Sequence, residues 1–226
     1  MDLNANFDER AVVHSSQIPW KASPMAGVDR RMLDRIGDEV ARATSIVRYA
    51  PGSHFSPHVH TGGEEFLVLE GVFQDEHGDF PVGTYVRNPP TTSHTPGSEP
   101  GCSIFVKLWQ FDMNDRQQIR IDTNTGDYQP VSGLDGVTRL DLHKDSHEEV
   151  CVECWKAGAE VSIGSTNGYE ALVLDGGFSE NGENFDVHSW LRLPKGTFSS
   201  AIAGPDGAKV WIKRNHLKHP PTAPIA

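Results

Sequence analysis

Apolar positions along this chain fall in short runs, alternating or continuous, that seldom keep the 3.6-residue spacing of a helix. The runs at residues 43–49, 65–69, 83–87, 103–109, 150–155, 170–174, 189–193 and 209–213 are rich in branched and aromatic side chains and predict strands. Turn-forming pairs such as Pro51-Gly52, Gly62-Gly63, Asn181-Gly182 and Asp206-Gly207 stand between them. One charged stretch that could wind, residues 29–42, is broken by Gly37 and loses its apolar period. The expectation is an all-β barrel or sandwich.

The pattern also repeats. Glu65, Leu67, Val68, Leu69 and Gly71 are answered by Glu170, Leu172, Val173, Leu174 and Gly176 at an offset of 105, and Pro89 by Pro194. Each copy closes on a similar run, Gly101 to Lys107 and Gly207 to Lys213. A repeat of this length fits two homologous β domains, expected at 1–118 and 119–226, with the junction least distinct across the polar residues 111–137.

Composition narrows the classes. Asp and Glu outnumber Lys and Arg 31 to 20, a net charge of -11 that argues against nucleic acid or an anionic membrane as partner. No apolar window is long enough to span a bilayer and no signal peptide is apparent, so a cytoplasmic location is expected. Cys102, Cys151 and Cys154 are too few for a disulfide scaffold, and Cys151 and Cys154 lie in a strand pattern that reads as structural.

The chemistry concentrates in residues 52–94. His58 and His60 are two apart, so on an extended chain both imidazoles face one centre. The Thr61-Gly62-Gly63 turn then returns Glu64 beside them, while Glu65 would point the other way. Past the proline-stiffened turn at Pro89 and Pro90, His94 supplies a fourth donor. Three imidazoles and a carboxylate suit one divalent transition metal in the N-terminal barrel, Zn or Fe first, with Mn, Ni or Co as alternatives. Such a cysteine-free set leaves positions for water or a small-molecule ligand. Tyr85, Arg87 and His54 are candidates for a supporting role, with an exposed or paired side chain the alternative for each; His77 is expected in an exposed hairpin turn. Phe55, Phe66, Val68, Tyr85, Phe105 and Trp109 are candidates to line the cavity, and Trp155 and Trp211 to fill core.

These residues resemble the two cupin motifs. Gly52, His58, His60, Glu64 and Gly71 match the first; Gly83, Pro89 and His94 match the second, with Thr91 where a glycine is usual and Ser98 where asparagine is common. The resemblance implies two tandem cupin barrels, double-stranded β-helix or jelly-roll in type: a bicupin. More narrowly, residues 45–52, 58–65, 67–73 and 83–90 look like the ChrR cupin-like family. That likeness implies a metal-binding regulatory or sensor protein responsive to a small molecule or oxidant. Metal-dependent dioxygenases and carbon–carbon lyases acting on small carbonyl or phenolic ketone compounds resemble the family too, so an enzyme is the alternative. The anti-sigma factor that names the family grips its sigma factor through a zinc-binding helical domain with no counterpart here, and direct sigma binding is not expected. Cupins often pair through their sheets, which leaves a homodimer open.

In the second copy the ligand positions fall among Ile163, Gly164, Ser165 and Thr166, then Tyr169 and Ser199, none a strong divalent ligand. One site per chain is expected.

Overall fold

Strand signals prevail throughout the computed structural model, which describes residues 1–38, 40–219 and 222–224. Among those residues the one helical element is the three-residue 3-10 turn Ser15–Gln17. No described helix is long and apolar enough to cross a membrane. The charged stretch near residue 30 is extended: Val28–Gly37 pairs antiparallel with Ala41–Tyr49, from Val28 opposite Tyr49 to Gly37 opposite Ala41.

In the first unit the main sheet runs Ile119–Asp122, Thr84–Asn88, Glu64–Asp75, Cys102–Leu108, Ala41–Tyr49, Val28–Gly37, Lys21–Ala22. The second unit repeats the order: Ala11–His14, Ser189–Leu193, Tyr169–Glu180, Phe198–Arg214, Glu149–Trp155, Val137–Lys144, Gln129–Pro130. Each is an antiparallel sheet with one face turned on an apolar interior. Phe66, Val68, Phe73, Val86, Ile104 and Val106 share that interior in the first unit; Ala171, Val173, Phe178, Leu191, Val210 and Ile212 share it in the second.

The other face carries charge. Glu65 stands opposite Lys107 on one neighbour strand and Arg87 on the other, and Glu170 stands likewise between Lys213 and Arg192. All six are buried. The duplication has therefore kept a cross-strand row of alternating charge in both copies.

The unit boundaries differ from those expected. Ile119–Asp122 pairs with Thr84–Asn88, so the first unit extends through Thr125 rather than 118. Residues Asn6–Gln17 belong to the second unit, where Ala11–His14 pairs along Ser189–Leu193. An edge strand accepts any extended segment that satisfies its unpaired backbone groups, and sequence distance does not enter.

Candidate metal centre

Local pairing brings the four donors together. The short strand His58–Val59 pairs with Ser93–His94 so that His58 lies directly opposite His94. The His60 amide bonds the Thr92 carbonyl at 2.8 Å, and the turn that follows delivers Glu64 at the head of its strand. Thr91 holds the second loop with φ at 79°, a left-handed conformation awkward for a β-branched residue. This is the position where the motif usually has glycine, and it places the Thr91 amide 3.0 Å from the His60 carbonyl. Strain of this kind, about 1–3 kcal/mol, persists at sites the surroundings over-determine.

One donor atom from each of His58, His60, Glu64 and His94 lies within 4.8 Å of all the others. Glu64 Oε2 is 3.2 Å from His60 Nε2 and 3.6 Å from His94 Nε2. Adjacent ligands about 2.0–2.2 Å from one ion stand roughly 3–3.5 Å apart, so these separations fit a shared divalent centre. His60, Glu64 and His94 are buried, whereas His58 is exposed at the mouth. Neither His60 Nε2 nor Glu64 Oε2, both shielded from solvent, has a hydrogen bond of good geometry. Orphaned polar atoms at such depth cost about 1–3 kcal/mol each, a cost a coordinated ion removes.

Hydrogen bonds set the tautomers. Thr92 Oγ1 donates its hydrogen to the Pro89 carbonyl at 2.7 Å, so towards His60 Nδ1, 3.0 Å away, it can only accept. The proton then sits on Nδ1 and the Nε2 lone pair faces the centre. His94 Nδ1 meets Asp75 Oδ2 at 3.3 Å, the carboxylate–histidine arrangement common behind metal ligands. Burial pushes the Glu64 carboxyl up, but the imidazoles of His60, His94 and His58 more than offset it and hold it below the usual range. Burial pushes His58 down, towards the neutral ligand form. Burial pulls His94 down too, yet the bond to Asp75 and the Glu64 charge leave it raised.

Protons should thus compete with metal chiefly at the histidines. Metal affinity should fall as pH drops through about 7 and below, where imidazoles titrate, because a raised His94 takes up its proton early. Asp75→Asn should weaken affinity about 10–100-fold even at pH 8, since the imidazole loses its orienting partner. Calorimetric titration with zinc at pH 8 and at about pH 6 checks this; unchanged affinity in the variant would remove Asp75 from the site.

Asp75 was not among the residues singled out by sequence. It lies an odd eleven positions after Glu64, which alternation assigns to the opposite face. A bulge alters that parity: Ser103 pairs with Glu70 but Ile104 with Val68, so Leu69 is skipped. Phe73 and Asp75 thereby return to the interior side.

The supporting candidates lie elsewhere. Tyr85 donates its hydroxyl to Glu65 Oε2 at 2.6 Å, and Arg87 binds Asp115 at 2.8 Å with Glu65 at 3.5 Å. Both are across the sheet from Glu64, in register with residues of the opposite face. Phe105, opposite Leu67, shares that face. His54 is an exposed partner of Glu99 at 2.9 Å, and His77 is exposed in its turn. Phe55 and Trp109 do line a pocket of about 290 Å³ next to the donors, with Tyr49, Leu108 and Met25. Trp109 takes φ of 58° and lays its indole on Gly62, where an added Cβ would come within 2.1 Å of the ring.

In the second unit Ile163 faces Ser199 as His58 faces His94, and Tyr169 heads the strand where Glu64 would be. The supporting pair survives in altered form: Ser199 donates to Glu180 at 2.6 Å, and Arg10 binds the same carboxylate at 2.7 Å.

The family model of the ChrR cupin-like domain matches residues 8–112. No curated protein sequence matches the chain. Among solved structures, that of a candidate dioxygenase from Nostoc punctiforme matches 97% of this chain and 87% of its own, at a TM-score of 0.78 and 13% identity. A candidate glyoxylate-induced protein from Pseudomonas aeruginosa matches over 97% and 92%, at 0.73 and 13%. An oxalate decarboxylase from Lactobacillus farciminis matches over 96% and 88%, at 0.62 and 10%.

Proposed function

From a chain with the cupin fold in two tandem barrels, we propose a mononuclear metal-dependent enzyme. Its reaction is of the dioxygenase or carbon–carbon lyase kind, on a small carbonyl or phenolic ketone compound. The observation that carries this reading is the position of the donor set beside a pocket, with His58 exposed and orphaned donor atoms behind it. A purely structural ion would instead be closed by its protein ligands. Iron(II) held by His58, His60, Glu64 and His94 would supply Lewis acidity and an electron-transfer centre, with coordination positions left for substrate and O2.

The chain's own residues do the rest. Glu64 stays ionised and lowers the net charge of the centre; Thr92 and Asp75 fix two imidazoles; Leu108 and Trp109 keep bulk water from the pocket wall. The matches to a dioxygenase and a decarboxylase support such chemistry through fold alone. The test is an oxygen electrode on anaerobically iron-loaded protein, offered 1,3-dicarbonyl and acyl-phenol compounds, with products followed by mass spectrometry. Uptake or cleavage in wild type that is lost in His60→Ala is expected. Silence across the panel with iron bound would overturn the proposal.

The match to the ChrR cupin-like domain supports a second reading, a metal-bound regulatory cupin responsive to a small molecule or oxidant. Steady turnover of any panel compound would exclude it.

A further inference from the structure

We infer that Tyr49 reads the pocket's small-molecule occupant, donating its hydroxyl hydrogen to a ligand oxygen, and that the occupant has an apolar body with no anionic group beyond its metal-binding end. The inference rests on the reading of the first barrel as a metal-dependent site.

Tyr49 ends the strand Ala41–Tyr49, where it faces Cys102 on one side and Val28 on the other. Its ring packs edge-on against Phe55 at 5.1 Å and Phe73 at 5.9 Å, which fixes the side chain along the pocket wall beside Glu64. None of the described residues gives its hydroxyl a hydrogen bond. An ordinary phenol is protonated at neutral pH, so the group is a donor rather than a phenolate. With no protein partner among the described residues, the hydroxyl of this half-buried side chain has its hydrogen available to an incoming acceptor, which takes the place of water.

The rest of the wall sets the ligand's body. Met25, Phe55, Leu108 and Trp109 are apolar, and the lining includes neither Lys nor Arg. A second anionic group on the ligand would enter with no counter-charge and would lose its hydration without return.

The second unit provides an internal comparison. Trp155 faces Ala208 as Tyr49 faces Cys102, and its indole nitrogen donates to Glu153 at 2.9 Å. The copy without the metal-ligand set therefore has, at this position, a polar group already satisfied by protein. At this position a hydroxyl without a protein partner accompanies the ligand set, whereas the other unpartnered tyrosine hydroxyl, that of Tyr169, stands in the second barrel at the place of Glu64.

Zinc-loaded full-length protein, which is redox-inert, tests this by calorimetry with three hydroxamates that share one chelating group. Benzohydroxamate should bind at least about tenfold tighter than acetohydroxamate, as burial of its ring requires. 4-Carboxybenzohydroxamate should bind at least tenfold more weakly than benzohydroxamate. Tyr49→Phe should weaken benzohydroxamate about three- to tenfold, the worth of one neutral hydrogen bond, with zinc content and melting temperature unchanged. Trp109→Ala should shrink the benzo-to-aceto ratio. Equal binding by the carboxylated probe, or no effect of Tyr49→Phe, would overturn the inference, as would failure to take up zinc. Tyr49-dependent binding without oxygen uptake or cleavage in the iron-loaded protein would uphold it while removing the enzymatic reading.

Discussion

His60→Ala should lose metal affinity by more than about 100-fold, because outer partners alone are worth about 10–100-fold and His60 is one of the donors. Its Nε2 lies 3.2 Å from Glu64 with no hydrogen bond of good geometry, while its Nδ1 bonds Thr92, so the apo variant is the reference against which the metal effect is read. The holo protein loses much. Metal at about 100 times its dissociation constant stabilises wild type by about 2.7 kcal/mol, and the variant should gain at most about 0.4 kcal/mol from the same addition. Differential scanning calorimetry with and without zinc, together with metal analysis, reads both effects. His54→Ala is the control, since its exposed imidazole is paired with Glu99 away from the donors. Stoichiometric metal in His60→Ala, or its loss in His54→Ala, would break the assignment.

Glu153→Ala should destabilise the second barrel by about 3–5 kcal/mol, the usual cost of removing one partner from a buried ionic cluster. The fully buried Glu153 carboxylate binds Arg139 at 2.8 Å, Arg214 at 2.8 Å and the Trp155 indole nitrogen at 2.9 Å. Arg214 stands beside Tyr169, as Leu108 stands beside Glu64 in the first barrel. The copy without metal ligands thus has an Arg–Glu–Arg cluster among its inward residues. Without the carboxylate, two guanidinium groups face each other with less counter-charge.

The same group makes a pH prediction. Burial pushes the Glu153 carboxyl up, but Arg214, Trp155 and Arg139 bring it below its usual range. A depressed carboxyl contributes stability above its unfolded value of about 4.3, and that contribution disappears as pH falls through the lower folded value. Wild type should therefore lose stability over this acid window, and the variant should lack that part of the loss. Chemical denaturation at pH 7 and across pH 5 to 2 checks both, with zinc uptake at pH 7 as the control for the first barrel. A variant as stable as wild type at pH 7 would show that the cluster is dispensable.

The metal-ligand set was legible because its determinants are short-range. Two-residue alternation aligns His58 with His60, a glycine turn returns Glu64, and a proline-bearing turn returns His94 to pair with His58. The duplication was legible for a similar reason: Glu65 and Glu170 occupy matching places in matching strands. Supporting residues were less so. Tyr85 and Arg87 could be put in phase with each other but not with Glu64, because strand phase across a sheet depends on register. The register pairs Arg87 with Glu65 and Asn88 with Glu64, which sends both candidates to the charged face.

By itself, then, the sequence determined the strand composition, the tandem repeat, the four donors and their absence from the second copy, all properties of residue type and spacing within a few turns of chain. Tertiary structure decided what depends on distant pairing. The bulge at Leu69 brought Asp75 behind His94, the open edge of Ser189–Leu193 took Ala11–His14 into the second sheet, and packing against Phe55 and Phe73 set Tyr49 in the pocket wall beside Glu64. A single skipped residue exchanges the faces of everything beyond it, and a sheet edge selects its partner by backbone hydrogen bonds; neither is encoded in a local pattern.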